Sequence, residues 1–269
     1  METSRVSRVT SDRYVYAFFP HNSYTFTNVV ATVAFYFGTF TVRVSDFANN
    51  FQFRSIVDQW DWEKIITKEE RNLETLKETV RTVYKVLRKT EKYMSIHYDY
   101  IEEILPHDIF FVTTSELAEM FPDYSPKERE YYIAKAKGAV CIMQIGETLE
   151  NGKPHDGRAP DYDDWALNAD IVVYYPVLDI ALELSSMGIR VDKKALLDQL
   201  QKAGCPERAE LPYHKAVIDG ELPLTIGGGI GQSRICMFFL RKAHIGEVQC
   251  SLWSDEVMKI AEENGLQLL

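Results

Sequence analysis

The sequence predicts an α+β fold in which helices flank an antiparallel sheet. Apolar runs of strand length follow one another closely, as in residues 169–178 and 179–191. Segments with helical spacing lie between such runs, and Gly or Pro separates the two kinds of segment. Strands that are joined by short turns and interleaved with helices are typical of this class.

The helices are predicted from apolar spacing and from capping residues. Residues 67–93 repeat apolar side chains at spacings of three and four, and Thr67 with Glu70 makes a possible capping box. Ser125 suits an N-cap, and Gly138 suits the end of that same helix. Further helices are expected in residues 115–121, 193–204, 209–222 and 232–243.

The strands are predicted from runs rich in Val, Ile, Phe and Tyr. Pro176 and the pair Leu178-Asp179 mark a turn between two of them. The strand near the C-terminus, in residues 223–231, is expected to enter a turn made by its glycines. The other strands are expected in residues 108–114, 139–146, 169–178 and 179–191.

Composition limits the class of partner. The 269 residues suffice for one large domain or two small ones, and the formal net charge is −10. Such a charge argues against a nucleic-acid partner, which needs concentrated Lys and Arg. The four cysteines stand far apart with no C-x-x-C, which disfavours zinc and disulfides and indicates the reducing cytoplasm.

The N-terminal part has a composition of its own. No charged residue occurs between Arg13 and Arg43, and the stretch NVVATVAFYFGTFTV within it is apolar. Its apolar core is short and diluted by Asn and Thr, so a membrane span is disfavoured, and it lacks the pattern of a signal peptide. Val, Thr, Tyr and Phe favour β structure here.

The stretch GGGIGQSR places four glycines ahead of Arg234. Glycines let a ligand approach the backbone closely, and an arginine at the start of a helix can bind phosphate. Gly229 and Gly231 are therefore candidates for nucleotide contact. The alternative is a packed turn with Arg234 in solvent.

Carboxylates gather in two stretches. RAPDYDDW contains Asp161, Asp163 and Asp164, and Asp170 follows in LNADIVV. Glu183 lies in a strand whose apolar neighbours suggest burial, so it needs a cation, and Mg²⁺ bound with substrate phosphates would suit it. The alternatives are a solvated acidic loop and a structural salt bridge.

Alternation along two strands orders the other polar candidates. It would place Glu183 and Ser185 on one face of their strand and Ser186 on the opposite face. In VDQWDWEK it places Gln59 and Asp61 together, where they could bind an amine or amide. The alternative for VDQWDWEK is an edge strand with two packed tryptophans.

Taken together, VDQWDWEK, RAPDYDDWALNADI, LELSSMGIRVD and ELPLTIGGGIGQSRICMFFLRKAHIGEVQ resemble the ammonia-dependent asparagine synthetase family, the aspartate–ammonia ligases. The resemblance runs from about residue 55 to residue 269. It implies the catalytic fold of class II aminoacyl-tRNA synthetases. It also implies a reaction in which aspartate and ATP form β-aspartyl adenylate and pyrophosphate, after which ammonia displaces AMP.

The resemblance also implies roles for individual residues. Arg234, Arg190 and Glu183 would be catalytic, and Glu183 would hold Mg²⁺ through the phosphates. ATP would contact Asp170, Glu183, Ser186, Gly229, Gly231 and Arg234. Aspartate would contact Gln59, Asp61, Asp163, Ser185 and Arg190. The family usually forms homodimers.

Residues 1–54 do not resemble the family, so we divide the chain into this atypical segment and a catalytic domain in residues 55–269. The interface helix and strand, and the arginine-bearing loop, that the family has ahead of VDQWDWEK are not identifiable, so we expect a weak dimer interface and impaired activation of the α-phosphate. The alternative function is a catalytically defective paralogue or fragment that binds ATP or amino acid without turnover. A tRNA synthetase is disfavoured because no basic surface is apparent.

Overall fold

One mixed sheet organises the part of the chain that the structure describes. The computed structural model describes residues 39–40, 43–45, 56–149, 152 and 154–269. The strands are β1 (Thr39–Phe40), β2 (Arg43–Ser45), β3 (Ile56–Ile65), β4 (Phe110–Thr113), β5 (Ala139–Met143), β6 (Asp163–Tyr175), β7 (Ile180–Arg190) and β8 (Thr225–Gly231). The helices are α1 (Leu73–His97), α2 (Thr114–Met120), α3 (Pro126–Lys137), α4 (Lys193–Lys202), α5 (Pro212–Ile218), α6 (Gln232–Phe239) and α7 (Asp255–Glu263), with short 3₁₀ turns at Pro206–Glu210 and Ile245–Glu247.

In the described ranges the sheet has eight strands, in the order β1-β3-β8-β7-β6-β5-β4 with β2 also paired to β3. The predicted α+β class is confirmed, and most neighbours are antiparallel as expected. The pair β4–β5 is parallel, however. The reason is the connection, because α2 and α3 together return the chain to the same end of the sheet before β5 begins.

Helix α1 begins later than its capping pattern suggested. Thr67 and Glu70 do exchange the two hydrogen bonds of a capping box, at 2.7 and 3.3 Å. The helix nevertheless starts at Leu73, where Asn72 is the N-cap and accepts from the backbone N–H of Thr75. The predicted capping box therefore closes a turn ahead of the helix rather than the helix itself.

The two faces of the sheet are covered differently. On one face, α1 and α6 bury a continuous apolar core that includes Trp62, Leu76, Ile171 and Phe238. On the other face, α2 and α3 cover β4, β5, the middle of β6 and the first residues of β7. The centre of that second face carries polar side chains and contains the candidate site.

Strand β7 contains a β-bulge that changes which residues share a face. Ile171 pairs with Ser185 and the next residue, Val172, pairs with Glu183, so Leu184 is the extra residue. Our assignment of Glu183 and Ser186 to opposite faces is therefore wrong. The bulge places Glu183 on the polar face with Ser186, whereas Ser185 is buried on the core side.

The glycine run belongs to a strand and not to a turn. Residues 225–231 pair on both sides, with β3 and with β7, and α6 follows directly. The predicted glycine turn is wrong. The chain does not reverse here, and the glycines are needed because side chains of the neighbouring strands occupy the space above them. Strand β3 is likewise interior to the sheet, so the edge-strand alternative for VDQWDWEK is excluded.

Most of the segment 1–54 lies outside the described residues. Its backbone is described at β1 and β2, which pair with β3 in antiparallel fashion. The predicted β structure of NVVATVAFYFGTFTV otherwise lies outside the described residues, and the domain boundary at residue 54 stays a prediction. No helix in the described ranges is both long and apolar enough to cross a membrane.

Candidate active site

Four strands contribute to one row of residues across the polar face. Asp61 on β3 pairs with Gly229 on β8, Gly229 pairs with Ser186 on β7, and Ser186 pairs with Asp170 on β6. Residues paired in this way lie side by side on the same face of a sheet. The pairing therefore brings together four candidates that are far apart in sequence.

A cavity of about 400 Å³ lies above this row. Its wall contains all the predicted site residues except Asp170, which lies behind Arg158. The Ser185 hydroxyl donates to the backbone oxygen of Gly229 at 3.0 Å, so it also ties β7 to β8. The predicted candidates that line the cavity are Gln59, Asp61, Asp163, Glu183, Ser185, Ser186, Arg190, Gly229, Gly231 and Arg234.

Arg190 is buried and paired on two sides. Its Nη2 lies 2.7 Å from Glu63 Oε2, its Nη1 donates to Asp163, and its guanidinium lies 4.0 Å from the centre of the Tyr162 ring. Burial raises the pKa of Asp163, and the Arg190 charge acts against that rise. The guanidinium is therefore held in one orientation at the cavity wall.

Arg234 is held far more loosely. It lies in the first turn of α6, and its Nη1 is 3.3 Å from Glu183 Oε1 and 3.2 Å from the Glu183 backbone oxygen. The side chains are 50% and 40% exposed respectively, so the expected burial of Glu183 is wrong. Both groups can reorient toward an anion and a cation that enter the cavity.

Asp170 is a buried carboxylate with an incomplete set of partners. It is buried, and Arg158 donates Nη2–H to its Oδ2, while its Oδ1 has no hydrogen-bond partner among the described residues. Burial raises the pKa of Asp170 to about 6, with Arg158 acting against the rise and the Glu183 charge adding to it.

The acidic stretch 161–164 is not a solvated loop, so that alternative is wrong. Asp163 and Asp164 are buried at the start of β6. Asp164 accepts from Arg71 at 2.6 Å, and Asp161 accepts from His214 at 3.0 Å. Each aspartate therefore has its own cation or histidine, as buried carboxylates require.

Two glycines of β8 make room for polar side chains of the site. A Cβ at residue 229 would lie 2.8 Å from Asp61 Oδ1 and 3.2 Å from Gln59 Oε1. A Cβ at residue 227 would lie 2.0 Å from Glu63 Oε2 and 2.5 Å from Arg190 Nη2. The missing side chains thus let β3 and β7 direct their polar groups over β8.

Three residues of the site were missed from the sequence, namely Arg158, Glu63 and Tyr162. Arg158 and Tyr162 line the cavity, and Glu63 is the partner of Arg190. The period-two alternation that grouped Gln59 with Asp61 also includes Glu63, so that signal was present. Arg158 lies in a turn-rich stretch in which a solvated arginine is the ordinary expectation.

The charged side chains of the described residues show whether the cavity could hold Mg²⁺. Among the described residues, the cavity wall holds three arginines and three carboxylates, whose charges balance. No group of three or more His, Cys, Asp or Glu that could hold a metal occurs in the described ranges. Mg²⁺ needs only one or two carboxylates when phosphates supply other oxygens, and the exposed Glu183 of the cavity wall meets that need.

Comparison with solved structures identifies the fold. An aspartyl-tRNA synthetase from Entamoeba histolytica superposes with a TM-score of 0.57 at 17% identity, over 88% of this chain and 53% of that one. An asparaginyl-tRNA synthetase from the same organism, in complex with asparaginyl-adenylate, gives 0.54 at 13% identity, over 83% and 54%. The predicted class II synthetase-like catalytic fold is thereby confirmed.

Comparison with curated sequences identifies close relatives. The aspartate–ammonia ligase of Ruminiclostridium cellulolyticum is 62% identical over 213 residues, which are 79% of this chain and 63% of that protein. The aspartate–ammonia ligase of Fusobacterium nucleatum is 57% identical over 79% of this chain and 65% of that protein. The chain thus spans less than two thirds of the length of these relatives. They give no support to the alternative of a defective paralogue.

The family model "AsnA: Aspartate-ammonia ligase" matches residues 33–265. The match begins ahead of residue 55, where the resemblance of the sequence motifs begins. With most of the chain matched and relatives near 60% identity, the resemblance is confirmed, and the chain belongs to the aspartate–ammonia ligase family.

Proposed function

We propose that this chain forms the adenylation site of an aspartate–ammonia ligase and makes asparagine from aspartate, ammonia and ATP. The observation that carries the proposal is the cavity in which glycine-lined backbone, three arginines and three carboxylates meet on one sheet face. Membership of the family supplies the reaction class.

The reaction proceeds in two steps. The β-carboxylate of aspartate attacks the α-phosphorus of ATP, the bond to the bridging oxygen breaks, and pyrophosphate leaves. Ammonia then attacks the acyl carbon of the adenylate, loses a proton, and AMP leaves with the former carboxylate oxygen. Neither step needs a covalent bond to the protein, so catalysis consists of positioning and charge stabilisation.

The ATP side of the cavity is assigned to β7, β8 and α6. Gly229 and Gly231 offer bare backbone to the nucleotide, and Ser186 and Asp170 lie beside them in the sheet. Arg234 stabilises charge on the phosphates once it leaves Glu183. Mg²⁺ would be held by Glu183 and the phosphates, and it would neutralise charge on the leaving pyrophosphate.

The aspartate side is assigned to β3 and the start of β6. Gln59 and Asp61 lie side by side across from Gly231 and Gly229, where they can bind the ammonium group of the substrate. Burial raises the pKa of Asp61, so a cationic partner would stabilise its charged form. Asp163 and Arg190 are assigned to orienting this substrate, whereas Ser185, predicted to contact it, lies on the core side and holds β7 against β8 through the Gly229 oxygen.

The proposal extends to a cytoplasmic location and to a second copy of the chain as partner. Light scattering on the purified protein would measure the mass in solution, and a mass of one chain at micromolar concentration would contradict the dimer. No nucleic acid enters the proposal, because the chain carries net negative charge.

The direct test supplies purified protein with ATP, Mg²⁺, aspartate and isotopically labelled ammonium. Labelled asparagine, AMP and pyrophosphate are expected, and well-folded protein that makes none of them would contradict the proposal. Arg234→Ala should lower the rate about a hundredfold, as loss of one charge contact to the transition state does. Arg81→Ala is the matched control, because Arg81 is 51% exposed, pairs with Glu74 and lies outside the cavity.

A further inference from the structure

Residues 154–161 carry Arg158 into the wall of the site cavity. The segment has little regular structure of its own, since its described ladder contact is an isolated bridge between Thr148 and Pro154. A charged side chain on such a segment loses considerable conformational entropy when it is held in one place. Something other than a strand or helix must therefore fix Arg158.

The N-terminal end of the segment is fixed by a buried pair. His155 is 4% exposed, and its Nε2 lies 3.2 Å from Oε1 of Glu130 on α3. Lys127 also donates to Glu130, at 3.0 and 3.1 Å. Burial acts to raise the pKa of Glu130, but the hydrogen bonds from His155 and Lys127 outweigh it and the pKa is lowered. The carboxylate is thus charged and directed at the histidine.

The C-terminal end of the segment is fixed by a second pair of the same kind. Asp161 Oδ2 lies 3.0 Å from Nε2 of the buried His214 on α5, and 3.3 Å from Arg208 Nη1. The Nδ1 atoms of both buried histidines have no hydrogen-bond partner in the described part of the chain. Each imidazole therefore interacts with the protein's polar groups through its Nε2 and a single carboxylate.

The residues next to Arg158 are fixed as well, but only on one side. The backbone oxygens of Ala159 and Pro160 accept from Trp165 Nε1 at 3.3 Å and from Gln199 Nε2 at 3.0 Å. On the N-terminal side, Asp156 and Gly157 are exposed, and Asp156 makes an exposed ion pair with Lys127 at 3.6 Å, so His155 is the nearest buried anchor. The position of Arg158 over Asp170 consequently depends on Trp165 and Gln199 from the C-terminal side and on His155 from the N-terminal side.

We propose that His155 and Glu130 are positioning residues, which hold the segment 154–161 so that Arg158 faces the anionic phosphates of the substrate. The proposal rests on the proposed function, since it takes ATP as the anion. Arg158 fits the part, because it lines the cavity, its Nε is buried without a hydrogen-bond partner among the described residues, and one carboxylate, Asp170, pairs with it. A preorganised guanidinium binds phosphate without a further loss of entropy.

The test compares ATP binding and steady-state kinetics for four variants. His155→Ala and Glu130→Ala remove the pair from either side, and each should weaken ATP binding about tenfold, the equivalent of one charge-assisted hydrogen bond. The KM for ATP should rise while the KM for aspartate stays unchanged. Glu130→Gln keeps an acceptor for the imidazole and should restore most of the affinity. His107→Ala is the control, because it removes an exposed histidine–carboxylate pair outside the cavity.

A double-mutant comparison separates positioning from a general loss of stability. In the Arg158→Ala background, His155→Ala should cause no further loss of ATP affinity, because the group that it positions is already absent. Losses that simply add would overturn the proposal. Glu130→Ala allows the same comparison if His155→Ala does not fold.

Hydrogen exchange distinguishes failure of this inference from failure of the proposed function. Wild-type protein that binds no ATP would contradict the proposed function alone. The segment can still be followed, since His155→Ala should speed amide exchange in residues 155–159 about tenfold or more, while Arg158→Ala should not. Unchanged exchange in His155→Ala would overturn the positioning role.

Discussion

The two faces of the central sheet are built from the same strands but are stabilised in opposite ways. On β6, Ile171 lies in the apolar core, whereas the adjacent Asp170 faces Arg158 and the site. The core face depends on packing, which is non-directional and tolerant of small shifts. The site face depends on paired charges, so the removal of one partner leaves the other charged group buried without compensation.

The largest effect should come from the most enclosed ion pair of the site face. Arg190→Met would leave the buried Asp163 without its cation, and breaking such a pair typically costs about 3–5 kcal/mol of unfolding free energy. Urea unfolding followed by circular dichroism measures the loss. The double variant Arg190→Met/Asp163→Leu should recover part of it, and a loss below about 1 kcal/mol in the single variant would show that water reaches this pair.

The matching change on the core face should cost a similar or slightly smaller amount. Ile171→Ala removes a side chain that is fully buried, and such truncations cost about 2–5 kcal/mol through lost transfer energy and the remaining cavity. The same urea experiment applies. ATP binding by the folded variant should stay within about twofold of wild type, since Ile171 does not line the cavity.

Two adjacent glycines sharpen the comparison further. A Cβ on Gly228 would lie 2.7 Å from the Ser186 backbone oxygen and 2.6 Å from Met187 Cβ, so Gly228→Ala should cost about 1–3 kcal/mol of stability. A Cβ on Gly229 would meet the ends of Asp61 and Gln59 instead. Gly229→Ala should therefore unfold at nearly the wild-type urea concentration but bind substrates poorly. The reverse ranking of the two midpoints would refute this distinction.

The pH dependence of stability should report the raised pKa of Asp170. Its pKa of about 6 in the folded protein exceeds the ordinary value of 3.8, so the folded state binds the proton more tightly than the unfolded chain does. This carboxyl therefore lowers stability progressively as the pH rises from about 4 to 6, and Asp170→Asn lacks that contribution. The unfolding free energy of the variant minus that of wild type should rise across this window. A flat difference would mean that Asp170 titrates normally.

The smallest effect on stability should come from the most exposed ion pair. Arg234 and Glu183 are both more than a third exposed, and such pairs contribute about 0–1 kcal/mol. Arg234→Ala should thus unfold within about 1 kcal/mol of wild type, as Arg81→Ala should. A larger loss would show that Arg234 supports the fold as well as the proposed site.

The sequence predicted most of the strands and helices because each has its own local pattern, although helix α7 was not predicted. The turn at Pro176 to Asp179 was predicted correctly and joins β6 to β7 as expected. The parallel pairing of β4 with β5 was not predicted, because pairing depends on the path of the connection and not on either strand alone. The start of α1 was misplaced because two adjacent segments both satisfy a capping pattern.

The site was predicted in membership but not in arrangement. Residue types and motifs identified the residues that line the cavity. Simple alternation placed Glu183 on the wrong face, because no residue type indicates where a bulge occurs. The glycines were assigned to a turn because the side chains that approach them come from other strands. Arg158 was missed since its partner, Asp170, lies twelve residues away and becomes adjacent only after the sheet forms.

The bulge at Leu184 changes which residues of β7 face the site. Ahead of the bulge, odd-numbered residues face the site, and after it even-numbered residues do. One strand therefore supplies Glu183 and Ser186 to the site and Leu182 and Met187 to the core. Deletion of Leu184 would restore strict alternation along the whole strand. Either Glu183 would then face the core or an apolar residue such as Met187 would face the site. A single residue, without any chemistry of its own, therefore keeps the site and the core in register.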